Sequence, residues 1–324
     1  MMTYNIIGDI HCRECWKKLV MDGCVNVFVG DYFSPYDDIP FDKQLEIFFG
    51  IINYKKEHPE TVLLRGNHDL GGYVSRPYNR DDVNSRFVNK IIKDHENELQ
   101  TALSIDNKVL VTHAGVSFVW YDIYKNKQFA KRVIDCSYDQ PDEIESPITH
   151  KMCKTYNPVK FSECKTPEEA YKKFYDHYYQ WYAEENKKPA DKQFLKWNNK
   201  LWQFCEEDEK FNEFRVTPDE LAEYINGLWS DGKYSAFSFD ANAGPLDYYG
   251  TSEGHGPLWI RPDTLKDVNA FEFSDYWQIV GHTQTPHPFV NNDEHIAYVD
   301  CLQYNTESLI YDSETNKFTI NKPE

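Results

Sequence analysis

Five short motifs in this chain set aspartate, histidine or asparagine directly after an apolar run. They are Gly8-Asp9-Ile10-His11, Gly30-Asp31, Gly66-Asn67-His68-Asp69, Thr112-His113-Ala114-Gly115 and Gly281-His282-Thr283. Singly each is weak, because Gly-Asp after a strand is an ordinary turn and a lone histidine is more often a core residue. Together they offer carboxylates, imidazoles and a carboxamide, a set that suits Mn, Fe, Zn or Ni rather than a thiolate-selective metal. Asp9 and His11 stand two apart, so an extended segment would project both to one face. A carboxylate such as Asp31 can bridge two ions, and Asn67 can ligate through its carbonyl oxygen without adding charge. The chemistry within reach is that of bound divalent cations.

Such residues act together only if the fold converges them. Asn5–Ile7, Val25–Val29, Thr61–Leu64, Val109–Val111 and Gln278–Val280 read as short buried strands, each ending at one of the motifs. Leu45, Phe48, Phe49 and Ile52 repeat at helical spacing, which predicts an amphipathic helix capped by Asp42 and ending near Pro59. Strands with polar carboxyl ends and helical crossovers predict an α/β sheet with a ligand crevice at those ends. His295–Asp300, Ser308–Tyr311 and Lys317–Ile320 read as a β meander.

Between roughly 120 and 230 the texture changes. Thr166-Pro167-Glu168-Glu169 is a capping box ahead of apolar positions 171, 174, 175, 178 and 182. A second helix is predicted through Phe194, Trp197, Leu201, Phe204 and Cys205. Thr217-Pro218-Asp219-Glu220 caps a third, with Leu221, Tyr224, Ile225 and Leu228 inside. The expected organisation is a core of residues 1–119 and 231–324 with a mainly helical insert, 120–230, able to serve as a lid.

Composition narrows the partners. The chain has 324 residues with eight Trp, 23 Tyr and 20 Phe, and so reads as folded despite a mean hydropathy of −0.71, since disorder goes with aromatic poverty. Its 53 acidic against 35 basic residues give a formal charge of −18, which disfavours general nucleic-acid binding, a matter of Lys and Arg on phosphates. Bound cations can still reverse the field locally for a phosphate ester. No signal peptide and no membrane span is expected. Eight cysteines scattered through a long chain, with one isolated CxxC at Cys12 and Cys15, fit a reducing cytoplasm better than a disulfide framework.

In order, the motifs DxH, GD, GNHD, HAG and GHT, spanning residues 8 to 285, resemble the calcineurin-like metallophosphoesterase superfamily. They look closest to its serine/threonine protein phosphatase branch with bacterial and phage relatives. The resemblance implies a four-layer sandwich of two mixed β-sheets flanked by helices. It implies two divalent metal ions, Mn foremost. Asp9, His11 and Asp31 would hold the first; Asp31 would bridge to a second completed by Asn67, His113 and His282. His68 would be the general acid beside the leaving oxygen. Water activated between the ions would then attack phosphorus in line. Gln284 stands where nuclease-like branches carry the second His of GHxH, which favours the phosphatase side.

Protein phosphatases usually continue the second motif as GDxVDRG. Here Ser34 stands at the position of the carboxylate that orients the catalytic histidine, and Pro35 at that of the phosphate-gripping arginine. Asp37 or Asp38 could stand in for the carboxylate. Arg261, in a Gly-Pro-Leu-Trp-Ile-Arg stretch similar to a GPxWxR segment of bacterial relatives, is the candidate for the arginine. The expected activity is phosphomonoester hydrolysis on a phosphoprotein, a nucleotide or a small metabolite. A nucleotide or dinucleoside polyphosphate hydrolase and a catalytically degenerate metal-binding scaffold are the alternatives.

Overall fold

The computed structural model describes residues 2–70, 73, 84–121, 143–145, 152–154, 216–239, 254–266 and 276–323. By its backbone contacts the chain divides into two units, Met1–Trp120 with Arg215–Glu324, and Tyr121–Phe214. In chain order the first unit begins β1 (Thr3–Ile7), α1 (Trp16–Leu19), β2 (Val25–Phe28), α2 (Phe41–Glu57), β3 (Val62–Leu64), α3 (Ser85–Asp94), β4 (Leu99–Gln100), β5 (Ala102–Ile105), β6 (Val109–Thr112) and α4 (Phe118–Tyr121). The second unit contributes β7 (Glu143–Glu145) and β8 (Met152–Lys154), an antiparallel pair. The first unit resumes with α5 (Pro218–Ser230), α6 (Pro262–Leu265), β9 (Trp277–Val280), β10 (Phe289–Asn291), β11 (Ile296–Tyr298), β12 (Ser308–Asp312) and β13 (Lys317–Asn321). The helices predicted over 166–182 and 194–205 lie outside the described residues.

Two mixed sheets form. One runs β13-β12-β1-β2-β3-β4, the other β10-β11-β9-β6-β5. In the first, β1 to β4 are parallel while β12 and β13 run antiparallel to their neighbours. In the second, β11, β9 and β6 are parallel and the edge strands antiparallel. Alternation along each strand sends side chains to two cores. Ile6, Val27 and Leu64 meet Ile105, Val111, Ile279 and Val299 between the sheets. Ile7, Phe28 and Leu63 point outward and are covered by Trp16, Leu19, Phe48, Ile51, Ile52, Val88 and Ile92 of α1, α2 and α3. Strands buried on both faces read as unbroken apolar runs, which is why these segments were plain in the sequence. The architecture is the expected α/β sandwich.

Three details differ from the sequence reading. Helix α2 begins after Pro40 and buries Gln44, Ile47, Phe48, Ile51 and Ile52. The predicted stripe is thus rotated, leaving Phe49 38% exposed. The meander does not form: β11 pairs in the second sheet and only β12 and β13 make a hairpin, in the first. Hydrophobic alternation reports that a segment is a strand, and is blind to which sheet it joins. The helix Pro218–Ser230, grouped with the insert from sequence, carries the expected capping box at Thr217 and Glu220. It is fastened to β5 by Asn226, whose Oδ1 accepts from Thr101 N and Ala102 N while its Nδ2 donates to Ala102 O, at 2.8, 3.1 and 2.9 Å.

Candidate metal centre

The parallel pairing of β1 with β2 continues past the strand ends, so the first two motifs are zipped together. Ile10 N donates to Gly30 O at 3.2 Å, His11 N to Asp31 O at 2.6 Å and Cys12 N to Tyr32 O at 3.1 Å. The chain there is not extended as the two-residue spacing supposed: His11, Cys12 and Asp31 have φ of 42°, 60° and 51°. Together with His282 at 64°, three of the predicted ligands sit in the left-handed region, a conformation that only surrounding structure can hold in a non-glycine residue. Asp69 supplies part of that hold. Its carboxylate accepts from Asp31 N, Tyr32 N and Gly66 N at 2.8, 3.1 and 2.8 Å. Gly66 is required beside it, because a Cβ there would lie 2.0 Å from Asp31 Oδ1.

Asp9, His11, Asp31, Asn67, His68, His113 and His282 all meet at this strand-end crevice. Asp31 Oδ2 is the hub, 3.5 Å from Nε2 of both His11 and His113 and 3.9 Å from Nε2 of His68. Its other oxygen accepts from His68 N at 2.9 Å. His282 N donates to both oxygens of Asp9, at 3.2 and 3.0 Å. Two sets of ligand atoms lie close enough to hold an ion, His11-Asp31-His68 and Asp9-Asp31-His113.

The protons say what the cluster is for. His11 Nδ1 faces two carbonyls, Phe33 O and Ser34 O, at 3.1 and 2.9 Å, and His113 Nδ1 faces Val29 O at 2.9 Å. His282 Nε2 faces Trp259 O at 3.2 Å. A carbonyl only accepts, so each of these nitrogens carries the ring proton. In the neutral rings the opposite nitrogens are lone pairs. They point at further acceptors: His113 Nε2 and His282 Nδ1 lie 2.8 and 3.0 Å from Asn67 Oδ1. Burial pushes His113 down to about 3 and His282 well below the ordinary imidazole range, helped for His282 by the Arg261 charge. Neutral imidazole lone pairs converging on carboxyl oxygens are a donor set that a cation can occupy. The donor set therefore fits divalent metal ions.

Burial, and then the Asp300 and Asp31 carboxylates, raise Asp9 well above the usual carboxylate range. Burial and Asp69 do the same to Asp31. Asp69 and Asp300 are pushed up to about 6, chiefly by burial. Asp300, at the end of the predicted strand His295–Asp300, lies carboxyl against carboxyl with Asp9, and its Oδ2 is buried without a hydrogen-bond partner among the described residues. Arg261 precedes α6, and its Nη1 donates to His282 O and Thr283 Oγ1 at 3.1 and 3.0 Å. Its charge reaches Asp31, Asp300, His113 and His282. Asp37 and Asp38 are solvent-exposed turn residues.

The backbone does work that side-chain patterns cannot announce. Ser34 acts through its carbonyl on His11, and Trp259 through its carbonyl on His282. Asp69 was legible as the last letter of Gly-Asn-His-Asp, but its partners became visible only in three dimensions.

The family model for calcineurin-like phosphoesterases matches residues 2–227. A search among curated proteins finds no match. Among solved structures, a cold-active protein-tyrosine phosphatase of a psychrophilic Shewanella species is 15% identical with a TM-score of 0.42, over 100% of this chain and 81% of that one. A protein serine/threonine phosphatase from Saccharomyces cerevisiae is 13% identical with a TM-score of 0.42, over 99% of this chain and 79% of that one. Among the described residues no helix is long and apolar enough to cross a membrane.

Proposed function

This chain belongs to the calcineurin-like phosphoesterase family, which makes it a metal-dependent hydrolase of phosphoesters, and from that premise we propose that it is a phosphomonoesterase of the protein-phosphatase-like kind. The observation that carries the proposal is Asp31 Oδ2 standing 3.5 Å from the inward nitrogens of both His11 and His113, so that one carboxylate would serve both halves of the cluster. In this reading Asp9, His11 and Asp31 would hold one ion, and Asp31, Asn67, His113 and His282 the other, with manganese the metal of first choice. Two bound divalent ions would supply the positive charge that a phosphate needs and would acidify water to a nucleophile at neutral pH.

The chain's own groups do the rest. The carbonyls of Phe33, Ser34, Val29 and Trp259 fix the tautomers, so the imidazoles present lone pairs with no proton to shed. His68 is held by its backbone N–H on Asp31 Oδ1 at 2.9 Å. At 8% exposure it is more accessible than Asp9, His11, Asp31, Asn67 and His113, suited to deliver a proton to the departing alkoxide. Arg261, bound to His282 O and Thr283 Oγ1, brings a planar cation to the same side as Asp31 and suits the phosphate oxygens. The substrate is a phosphorylated small molecule, nucleotide or protein. The cytoplasm is the proposed compartment, consistent with Cys12 and Cys301 packing as small apolar side chains in the core.

The test is hydrolysis of an aryl phosphomonoester and the matching diester with Mn²⁺, before and after EDTA, in wild type, Asp31→Asn and His68→Ala. Faster turnover of the monoester, abolished by EDTA, is the expected result. A preference for the diester would sink the phosphomonoesterase assignment.

A further inference from the structure

One side of the crevice carries groups that the hydrolysis just described does not use. Tyr36 stands edge-on to His11 with ring centroids 4.5 Å apart, and His11 stands edge-on to His68 at 5.2 Å. The Arg13 guanidinium lies over the Tyr36 ring, 5.4 Å from its centroid. A contiguous row thus leads from the proposed acid, through a buried imidazole, to a phenol that is 36% exposed and a half-buried cation. Arg13 is aimed by two uncharged acceptors, Ile10 O at 3.4 Å and Gln303 Oε1, and its charge also acts on the Asp300 carboxyl. Tyr36 sits where the chain departs from the pattern it otherwise follows. Tyr36 directly follows Ser34 and Pro35, and so projects a ring from the very loop that lacks the orienting carboxylate and the arginine. Arg13 is two residues beyond His11 on the loop zipped to that one.

We infer that Arg13 and Tyr36 form a leaving-group subsite, selecting small phosphoesters whose leaving group is a planar aromatic ring bearing a second anionic group. The inference rests on the reading of His68 as the acid, because that puts the leaving oxygen at the inner end of the row. Water adds to phosphorus and releases one proton to solvent, the bond from phosphorus to the leaving oxygen breaks, and that oxygen takes the proton of His68, which solvent then restores. The ring attached to it then lies within reach of Tyr36, where offset or edge contact is favourable. A carboxylate or phosphate on the far side of the ring meets Arg13, whose planar fork donates to either. In a chain with a formal charge of −18, a cation beside this row also offsets the repulsion that a doubly anionic ester meets on approach.

The test compares phenyl phosphate, 4-carboxyphenyl phosphate and glycerol 2-phosphate in wild type, Tyr36→Leu, Arg13→Gln and Arg13→Lys, all with Mn²⁺. Each variant is referred to wild type on the same substrate, which cancels the intrinsic reactivity of the leaving group. Tyr36→Leu is expected to lower kcat/KM on both aryl esters by about three- to tenfold, the size of one aromatic contact. It should leave the glycerol ester within about twofold. Arg13→Gln is expected to lose about fivefold on the carboxyphenyl ester alone, through KM, and Arg13→Lys to recover part of it. Bound metal, by elemental analysis, should match wild type in all three variants. Equal losses on the three esters, or no loss, overturn the subsite. Absence of hydrolysis by the metal-loaded wild type overturns both this inference and the phosphomonoesterase reading.

Discussion

Asp31 and His68 differ in what their loss should do, and the difference separates holding a metal from moving a proton. Asp31→Asn keeps the shape and the acceptor for His68 N but removes the charge that both halves of the cluster share. Metal content after dialysis should fall below that of wild type, with the melting curve still cooperative. His68→Ala removes no shared charge, so metal should remain while the rate falls by about a hundredfold or more, the usual yield of a positioned general acid. Retention of full activity by His68→Ala would end its assignment as the acid. Arg261 makes a third case. Arg261→Lys keeps a cation but loses the planar fork, and should raise KM for an aryl phosphate by about tenfold without changing metal content. An unchanged KM would return Arg261 to a purely structural role at His282 O and Thr283 Oγ1.

Among the elements, the loop after β2 is the one whose shape is least its own. Asp31 and Ser34 have φ of 51° and 60°, and the three N–H groups gathered by Asp69 are what keep the turn in place. Asp69→Ala would leave buried donors without a partner, each costing about 1–3 kcal/mol. The expected loss is about 3 kcal/mol or more in urea denaturation of the metal-free protein, together with weaker metal binding. Asp69→Asn, which keeps one acceptor oxygen, should lose less. A stability loss under about 0.5 kcal/mol for Asp69→Ala, the range of ordinary surface changes, would contradict this account.

At the scale of the whole molecule, four buried aspartates give the metal-free protein an unusual dependence on pH. Asp69 and Asp300 are raised to about 6, and Asp9 and Asp31 are raised as well. A carboxyl raised on folding contributes stability that is complete below its unfolded value and is lost as pH climbs through its folded one. For Asp69 and Asp300 that window runs from about pH 4 to about pH 6. Bound cations remove the cost by favouring the ionised form. Mn²⁺ should therefore raise Tm more at pH 7.5 than at pH 5, and calorimetry in buffers of different ionisation enthalpy should show protons released on binding near pH 6. His113, neutral down to about 3, competes little over this range. A pH-independent shift in Tm would argue that the carboxylates are already ionised in the metal-free protein.

The amino-acid sequence by itself determined the strands and nominated the candidate donors. Ile6-Ile7, Val27-Phe28 and Leu63-Leu64 are apolar on both faces because both faces are buried, and a residue that follows such a run must emerge at a strand end. Residue type and position along the chain are therefore enough to nominate Asp9, Asp31, Asn67, His113 and His282. Two kinds of information were decided only in three dimensions. Sheet membership was one: β11 and β12 follow each other in the chain yet join different sheets, because β11 lies beside β9 and β12 beside the distant β1. The other was backbone chemistry. The carbonyls of Phe33, Ser34, Val29 and Trp259 set which imidazole nitrogen faces inward, and every residue has a carbonyl, so no pattern of residue types marks these four. Tyr36 and Arg13 belong with them. Their meeting beside His11 depends on two loops being zipped past their strands, a geometry that spacing along the chain does not encode.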